Sequence, residues 1–208
     1  MILAAVLTAP ALAQPVPGAV KVGFADIFGW WLPVSAPPTR PAVIALHGCD
    51  GRYLRNPLDA REHSVSERLG RRGFHVLLSD NCSGADIHGA LDWLAARREV
   101  DRNRIVVLGW SQGGSALLAA LKHRIGPMAL QARAAIAFSP SCGPYAVTPG
   151  SYLPVAPLLI LVGSLDERTP AAPCLELANW TPKVVVRVLG ETGDGMEAML
   201  AFLERELH

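Results

Sequence analysis

Hydrophobic residues in this chain fall in short unbroken runs. Ala42 to Leu46, Phe74 to Ser79, Ile105 to Leu108, Ala134 to Phe138, Leu158 to Val162 and Lys183 to Leu189 are each dominated by aliphatic side chains. Runs of this kind predict strands buried on both faces, as in a parallel sheet, rather than half-exposed strands with alternating polarity. Helical stretches lie between and after them, near Pro57 to Arg72, Asp86 to Arg98, the Ala/Leu-rich segment after Ser111, Pro170 to Asn179 and Gly195 to Leu207. Ahead of the first run, Val20 to Val34 predicts a hairpin carrying Phe24, Phe28, Trp30 and Trp31, and the Pro-rich Ser35 to Pro41 turns the chain into the core. Strand and helix alternate, so the expected fold is α/β: a mostly parallel central sheet with helices on both faces and ligands at the carboxyl ends of the strands.

One strand-to-helix junction carries a distinct chemical signal. From Ile105 to Leu117 the chain reads Ile-Val-Val-Leu-Gly-Trp-Ser-Gln-Gly-Gly-Ser-Ala-Leu. The pattern Gly109-x-Ser111-x-Gly113 is a nucleophile elbow, in which a sharp turn projects a serine hydroxyl at the carboxyl edge while the flanking glycines let backbone pass close by. Ser111 is therefore the candidate nucleophile. The plainer alternative is that Ser111 is a helix N-cap.

Two other strand ends reach the same edge. His47-Gly-Cys-Asp-Gly51 follows the first core strand, where an acyl-transfer site needs an amide to hold an oxyanion with the N–H of the residue after the nucleophile. The expected donors are the backbone N–H groups of Gln112 and Cys49. His47 starts this loop, a position that suits shaping the loop by hydrogen bonding, and Asp50 reads as a turn residue. Leu161-Val-Gly-Ser-Leu-Asp166-Glu-Arg-Thr-Pro170 puts a carboxylate just past a strand, where the group that orients a catalytic histidine belongs. Asp166 is that candidate, with Glu167 a weaker one. The competing reading makes Asp166 a helix-capping residue ahead of Pro170.

Composition narrows the function classes. The 208 residues, 50% of them hydrophobic, suit one sizeable core. A single domain over residues 14–208 is expected. With 19 basic and 18 acidic residues and a net charge of +1, there is no basic stripe of the kind that neutralises phosphates, so nucleic acid is not an expected partner. Neither a phosphate-cradling glycine loop nor a Cys/His pair at zinc spacing is present, so no metal or other cofactor is expected. Residues 1–13 form a short apolar run ending in the small residues Ala11 and Ala13, which predicts a secretory signal and a periplasmic or secreted protein; the competing reading is an apolar N-terminal arm, since no Lys or Arg precedes the run. The run is too short, and interrupted by Pro10, for a permanent membrane anchor. Export allows thiols to pair. All four cysteines follow strands at the carboxyl edge, which favours Cys49–Cys82 and Cys142–Cys174 over four small buried side chains.

Together, Leu46-His-Gly-Cys-Asp-Gly51, Ala90-Leu-Asp-Trp-Leu-Ala-Ala-Arg97, Gly109-Trp-Ser-Gln-Gly-Gly114 and Gly163-Ser-Leu-Asp-Glu-Arg-Thr-Pro170 resemble the dienelactone hydrolase family of α/β hydrolases, over most of the chain from about Val20 onward. The resemblance implies an α/β-hydrolase fold and cofactor-free hydrolysis of a small carboxylic ester or lactone. Ser111 and Asp166 match the nucleophile and acid positions, although the best-known members use cysteine as nucleophile. It also implies cysteines at positions resembling Cys142 and Cys174, as exported relatives tend to carry. The departure lies in the third catalytic group. In this architecture a histidine follows the last strand, yet Val188-Leu-Gly-Glu-Thr-Gly-Asp-Gly195 contains none. Gly193 stands about where the family's histidine would be, and the segments 80–86 and 188–195 both look shorter than their counterparts.

No other histidine is an obvious replacement. His123 and His208 end their helices on the opposite side, His75 begins its strand there, and His63 is mid-helix. Only His47 and His88 are expected near the right edge, as possible substitute bases. Losing a triad member lowers turnover by orders of magnitude but leaves a residual of roughly 10³–10⁴-fold over water. Gly193→His is expected to raise hydrolysis of a short-chain chromogenic ester, and a folded variant with no gain would count against this alignment of the loop.

Overall fold

The computed structural model describes residues 18–24, 27–35, 39–48, 60–79, 87–122, 132–190 and 195–208. These build one eight-stranded sheet in the order β1-β2-β4-β3-β5-β6-β7-β8. The leading hairpin is β1 (Val20–Phe24) and β2 (Ile27–Leu32), and β2 runs antiparallel to both of its neighbours. The other six are parallel: β3 (Arg40–Leu46), β4 (His75–Ser79), β5 (Val100–Trp110), β6 (Ala134–Phe138), β7 (Leu158–Gly163) and β8 (Val184–Leu189). The helices are α1 (Ala60–Arg71), α2 (Ile87–Ala95), α3 (Gln112–Leu121), α4 (Ala171–Trp180) and α5 (Met196–Leu207).

The unbroken apolar strands are explained by cover on both faces. Alternate residues of each strand point to opposite sides, so Ala42, Ile44, Ile105, Val107, Ala135 and Ile160 pack with α2, α3 and α4. Val43, Ala45, Val106, Leu108, Ile136 and Leu161 pack with α1 and α5. The inner strands are almost wholly excluded from water, which at roughly 25 cal/mol per Å² of apolar surface makes them the main source of stability. Among the described residues no helix is long and apolar enough to cross a membrane.

Two features depart from the periodicity. The strand expected from Ile105 begins at Val100: Arg40 pairs with Val100 but Ala42 with Ile105, so residues 101–104 bulge out. Asp101 closes that bulge by accepting hydrogen bonds from the Asn103 N–H at 3.0 Å and the Arg104 Nε at 2.7 Å. The second is Tyr152, fully buried in the long connection from β6 to β7. Its hydroxyl donates to the Leu118 carbonyl at 3.0 Å, and burial pushes its pKa far above the usual phenol value.

His75 ties the hairpin to the sheet at the edge opposite the elbow. Its Nδ1 accepts the Val34 N–H at 3.0 Å, so the ring proton sits on Nε2, which donates to the Glu99 carbonyl at 3.1 Å. The ring stacks on Trp31 at 5.0 Å, and the Arg97 guanidinium lies 3.6 Å over the Trp93 ring and 5.5 Å over Trp31. Burial lowers the His75 pKa, assisted by Arg40 and opposed by the Glu99 carbonyl and carboxylate. A depressed pKa means that the unfolded chain binds the proton more readily. The stabilisation is therefore present above the unfolded value of about 6.5 and is lost as pH falls through the lower folded value. Urea unfolding should show the wild-type midpoint dropping from about pH 7 to about pH 5 more steeply than that of His75→Phe, which keeps the ring stack but cannot charge. At about pH 7 the variant should itself be weaker by about 1–3 kcal/mol, the cost of leaving the Val34 N–H and Glu99 carbonyl unpaired.

Candidate active site

The elbow forms because three residues lack a side chain. A Cβ on Gly109 would lie 2.6 Å from the carbonyl carbon of Gly113, and one on Gly113 would lie 2.5 Å from the carbonyl oxygens of both Leu46 and His47. Gly114 is less tight, its Cβ position 3.1 Å from the Gly109 oxygen. The first turn of α3 thus rests directly on the carboxyl ends of β3 and β5. Ser111 is the consequence: it is exposed and held at φ 48, one of two non-glycine residues with positive φ among those described. Such a backbone costs on the order of 1–3 kcal/mol and persists only where surrounding packing enforces it.

Ser111 occupies the N-cap position of α3, but its side chain makes no capping hydrogen bond. Its backbone is fully engaged instead. The Ser111 N–H donates to the Phe138 carbonyl at 2.8 Å, and the Ser111 carbonyl accepts from the Ser115 N–H at 2.9 Å and the Ser115 hydroxyl at 3.1 Å. Ser115 Oγ in turn accepts the Ser141 N–H at 2.8 Å. The turn is held by its main chain while its hydroxyl is left uncommitted to the helix. Gln112, the expected oxyanion donor, is exposed in the first turn of α3, whose N–H groups lie at the positive end of the helix dipole.

Asp166 follows β7 and is half-buried. Its Oδ1 accepts the N–H groups of Arg168 and Thr169, both at 3.1 Å, and Oδ2 accepts the Thr169 hydroxyl at 2.6 Å. The Thr169 hydroxyl above all, then the Thr169 N–H, the Ser139 hydroxyl and the Arg168 N–H, hold the Asp166 carboxyl below its ordinary range against the opposing effect of burial. A carboxylate offers roughly four acceptor positions, and this loop takes three of them. The hydrogen bonds of Asp166 thus close the turn ahead of α4. Thr169 and Ser139 were not singled out by the sequence reading. Thr169 at three residues beyond an aspartate is a turn signal that was available; nothing local pointed to Ser139, whose φ of 43 appears only in the fold.

Ser139 joins the two halves. It follows Phe138, whose carbonyl holds the elbow, its N–H donates to the Leu161 carbonyl at 2.8 Å, and its hydroxyl supports Asp166. Three residues on, Cys142 is bonded to Cys174 of α4, with Cα atoms 5.1 Å apart. The elbow, the loop after β6 and the Asp166 turn are therefore one connected unit.

The histidines distribute as follows. His47 is buried at the end of β3, and its Nδ1 contacts the carbonyl of Gly48, within the loop it begins. His88 is half-buried in the first turn of α2. His75 lies at the start of β4 and His208 is exposed after α5. The connection from β8 to α5 consists of residues 190–195, whose sequence holds no histidine. The signal segment 1–13, Cys49, Cys82, Asp50, His123, Gly193 and the side chain of His63 lie outside the described residues.

The sequence pattern of the prolyl oligopeptidase family matches residues 78–130, from the end of β4 through α3. No curated protein sequence matches the chain. Solved structures do: the Thermogutta terrifontis esterase 2 phosphoramylated by tabun is 19% identical with TM-score 0.66, covering 91% of this chain and 95% of its own. The apo form gives 20% identity and TM-score 0.65 over 91% and 92%, and the butyrate-bound form 19% and 0.67 over 94% and 97%. At this identity the likeness establishes the fold, and the fold is that of the α/β hydrolases. Neither comparison singles out the dienelactone hydrolases among them.

The glycine packing yields a stability test. Gly113→Ala pushes a methyl group into two main-chain carbonyls and should cost about 3 kcal/mol or more, whereas Gly114→Ala, with room for small shifts, should cost about 1 kcal/mol. Chemical denaturation of the two variants measures the difference.

Proposed function

We propose that this chain is a cofactor-free serine hydrolase of small carboxylic esters or lactones, in which Ser111 attacks the carbonyl and the backbone N–H groups of Gln112 and Cys49 receive the oxyanion. The observation that carries the reading is Ser111 itself: a strained, exposed N-cap serine whose hydroxyl does not cap. Strain that is maintained without a structural return marks a functional position. The esterase of the same fold, solved also with butyrate bound, agrees with a small ester as substrate. The finer likeness to dienelactone hydrolases rests on the four motifs of the sequence. Residues 1–13 and the Cys142–Cys174 bond fit export to the periplasm or beyond.

In this reading Asp166 holds the acid position, but with its carboxylate engaged in its own turn and no histidine in the connection from β8 to α5, proton transfer falls to solvent or to His47 or His88. Turnover is accordingly slow. A second reading, a hydrolase-fold protein that binds a small molecule or partner without catalysis, is favoured by that same engagement of Asp166.

A short-chain chromogenic ester separates the two. Ser111→Ala should reduce release of the chromophore to the rate without protein, and equal rates in wild type and variant would leave only the binding reading. Where solvent hydroxide is the base, the Ser111-dependent rate rises with pH without an inflection near 6.5, the value at which an unperturbed imidazole would titrate.

A further inference from the structure

We infer that Ser111 retains the acyl group it accepts, so that the protein is acylated by activated esters faster than it releases their acids. The inference rests on the hydrolase reading above and concerns the balance of its two half-reactions. In the first, Ser111 Oγ bonds to the acyl carbon, the bond to the leaving oxygen breaks, and the serine proton passes to hydroxide. When the leaving group is a phenol, with a pKa near that of tyrosine at about 10, it departs as the anion and needs no proton. In the second, water attacks the acyl-serine, loses a proton, and Oγ leaves as an alkoxide that must be protonated. That ester is unactivated, and both proton transfers are the work an imidazole performs in this architecture.

This chain keeps what the first half-reaction uses and lacks what the second requires. The elbow hydroxyl is exposed, uncommitted to its helix, and beside the positive end of α3. Residues 188–195 contain no histidine. Asp166 is held as the anion, with its oxygens turned to Thr169 and Arg168, and a carboxylate of depressed pKa is a poor general base for water near neutral pH. Loss of the base therefore retards deacylation more than acylation by an aryl ester. The substrate class is activated carboxylic esters with phenol-like leaving groups.

The test is pre-steady-state release of nitrophenol from 4-nitrophenyl acetate by the whole chain, with intact and peptide mass spectrometry of the quenched protein. The expected result is a burst matching one acetyl group per chain, located on Ser111, followed by steady release slower by about tenfold or more. Ser111→Ala, shown by circular dichroism to be folded, should give neither burst nor acetyl at that position. Steady Ser111-dependent release with no burst and an unmodified protein would overturn the inference and leave the hydrolase reading standing. Release and labelling that are the same in Ser111→Ala would overturn both.

Discussion

The close approach of α3 to the ends of β3 and β5 is the contact on which the rest depends. It leaves no room for a Cβ at Gly109 or Gly113, because each would meet main-chain atoms rather than a movable side chain. Main chain cannot step aside without breaking sheet hydrogen bonds, so the approach is either made fully or lost. Once made, it fixes the direction of α3 and bends the intervening serine into an unfavourable conformation. β5 has β3 on one side and β6 on the other, so the elbow also reads the register of both neighbours: Gly109 pairs with Leu46 and with Ala137.

The two halves of the site differ in how they use their polar groups. Around Ser111 the main chain satisfies itself and frees the hydroxyl. Around Asp166 the reverse holds, since the side chain satisfies the main chain by taking the N–H groups of its own turn. The Ser111 hydroxyl is left uncommitted to its helix, whereas the Asp166 carboxylate also holds its own turn together. The same edge of the sheet thus holds both arrangements, and Ser139 lies between them with its N–H on β7.

Most of the architecture could be read from residue patterns because burial on both faces leaves a simple trace. Strands such as Ala134–Phe138 and Leu158–Gly163 carry no polar side chain, and their ends fall within a residue or so of the pattern. The start of β5 could not be read, because Asp101, Arg102, Asn103 and Arg104 belong to a polar bulge that the Asp101 carboxylate closes through the Asn103 N–H and the Arg104 side chain. Tyr152 was equally opaque: a tyrosine in a Pro-rich connection gives no periodicity, and its hydroxyl is satisfied by the Leu118 carbonyl, distant in sequence. At the site, Ser111 was legible because the elbow is a local motif. The engagement of Asp166 was not, since the two competing roles for an aspartate after a strand differ only in where its oxygens turn. Cys142 and Cys174 could be paired from their place at one edge, whereas Cys49 and Cys82 lie outside the described residues.

The Cys142–Cys174 bond closes a covalent ring around β7, the Asp166 turn and the start of α4. That ring also contains the most open stretch of this region, residues 147–151, where Val147 is 75% exposed. A protease that cuts there leaves two fragments still joined, with the paired strands on either side undisturbed. The bond, which by loop-closure entropy stabilises a ring of this size by about 3–4 kcal/mol, thereby makes the backbone redundant at the point where it is most open to attack.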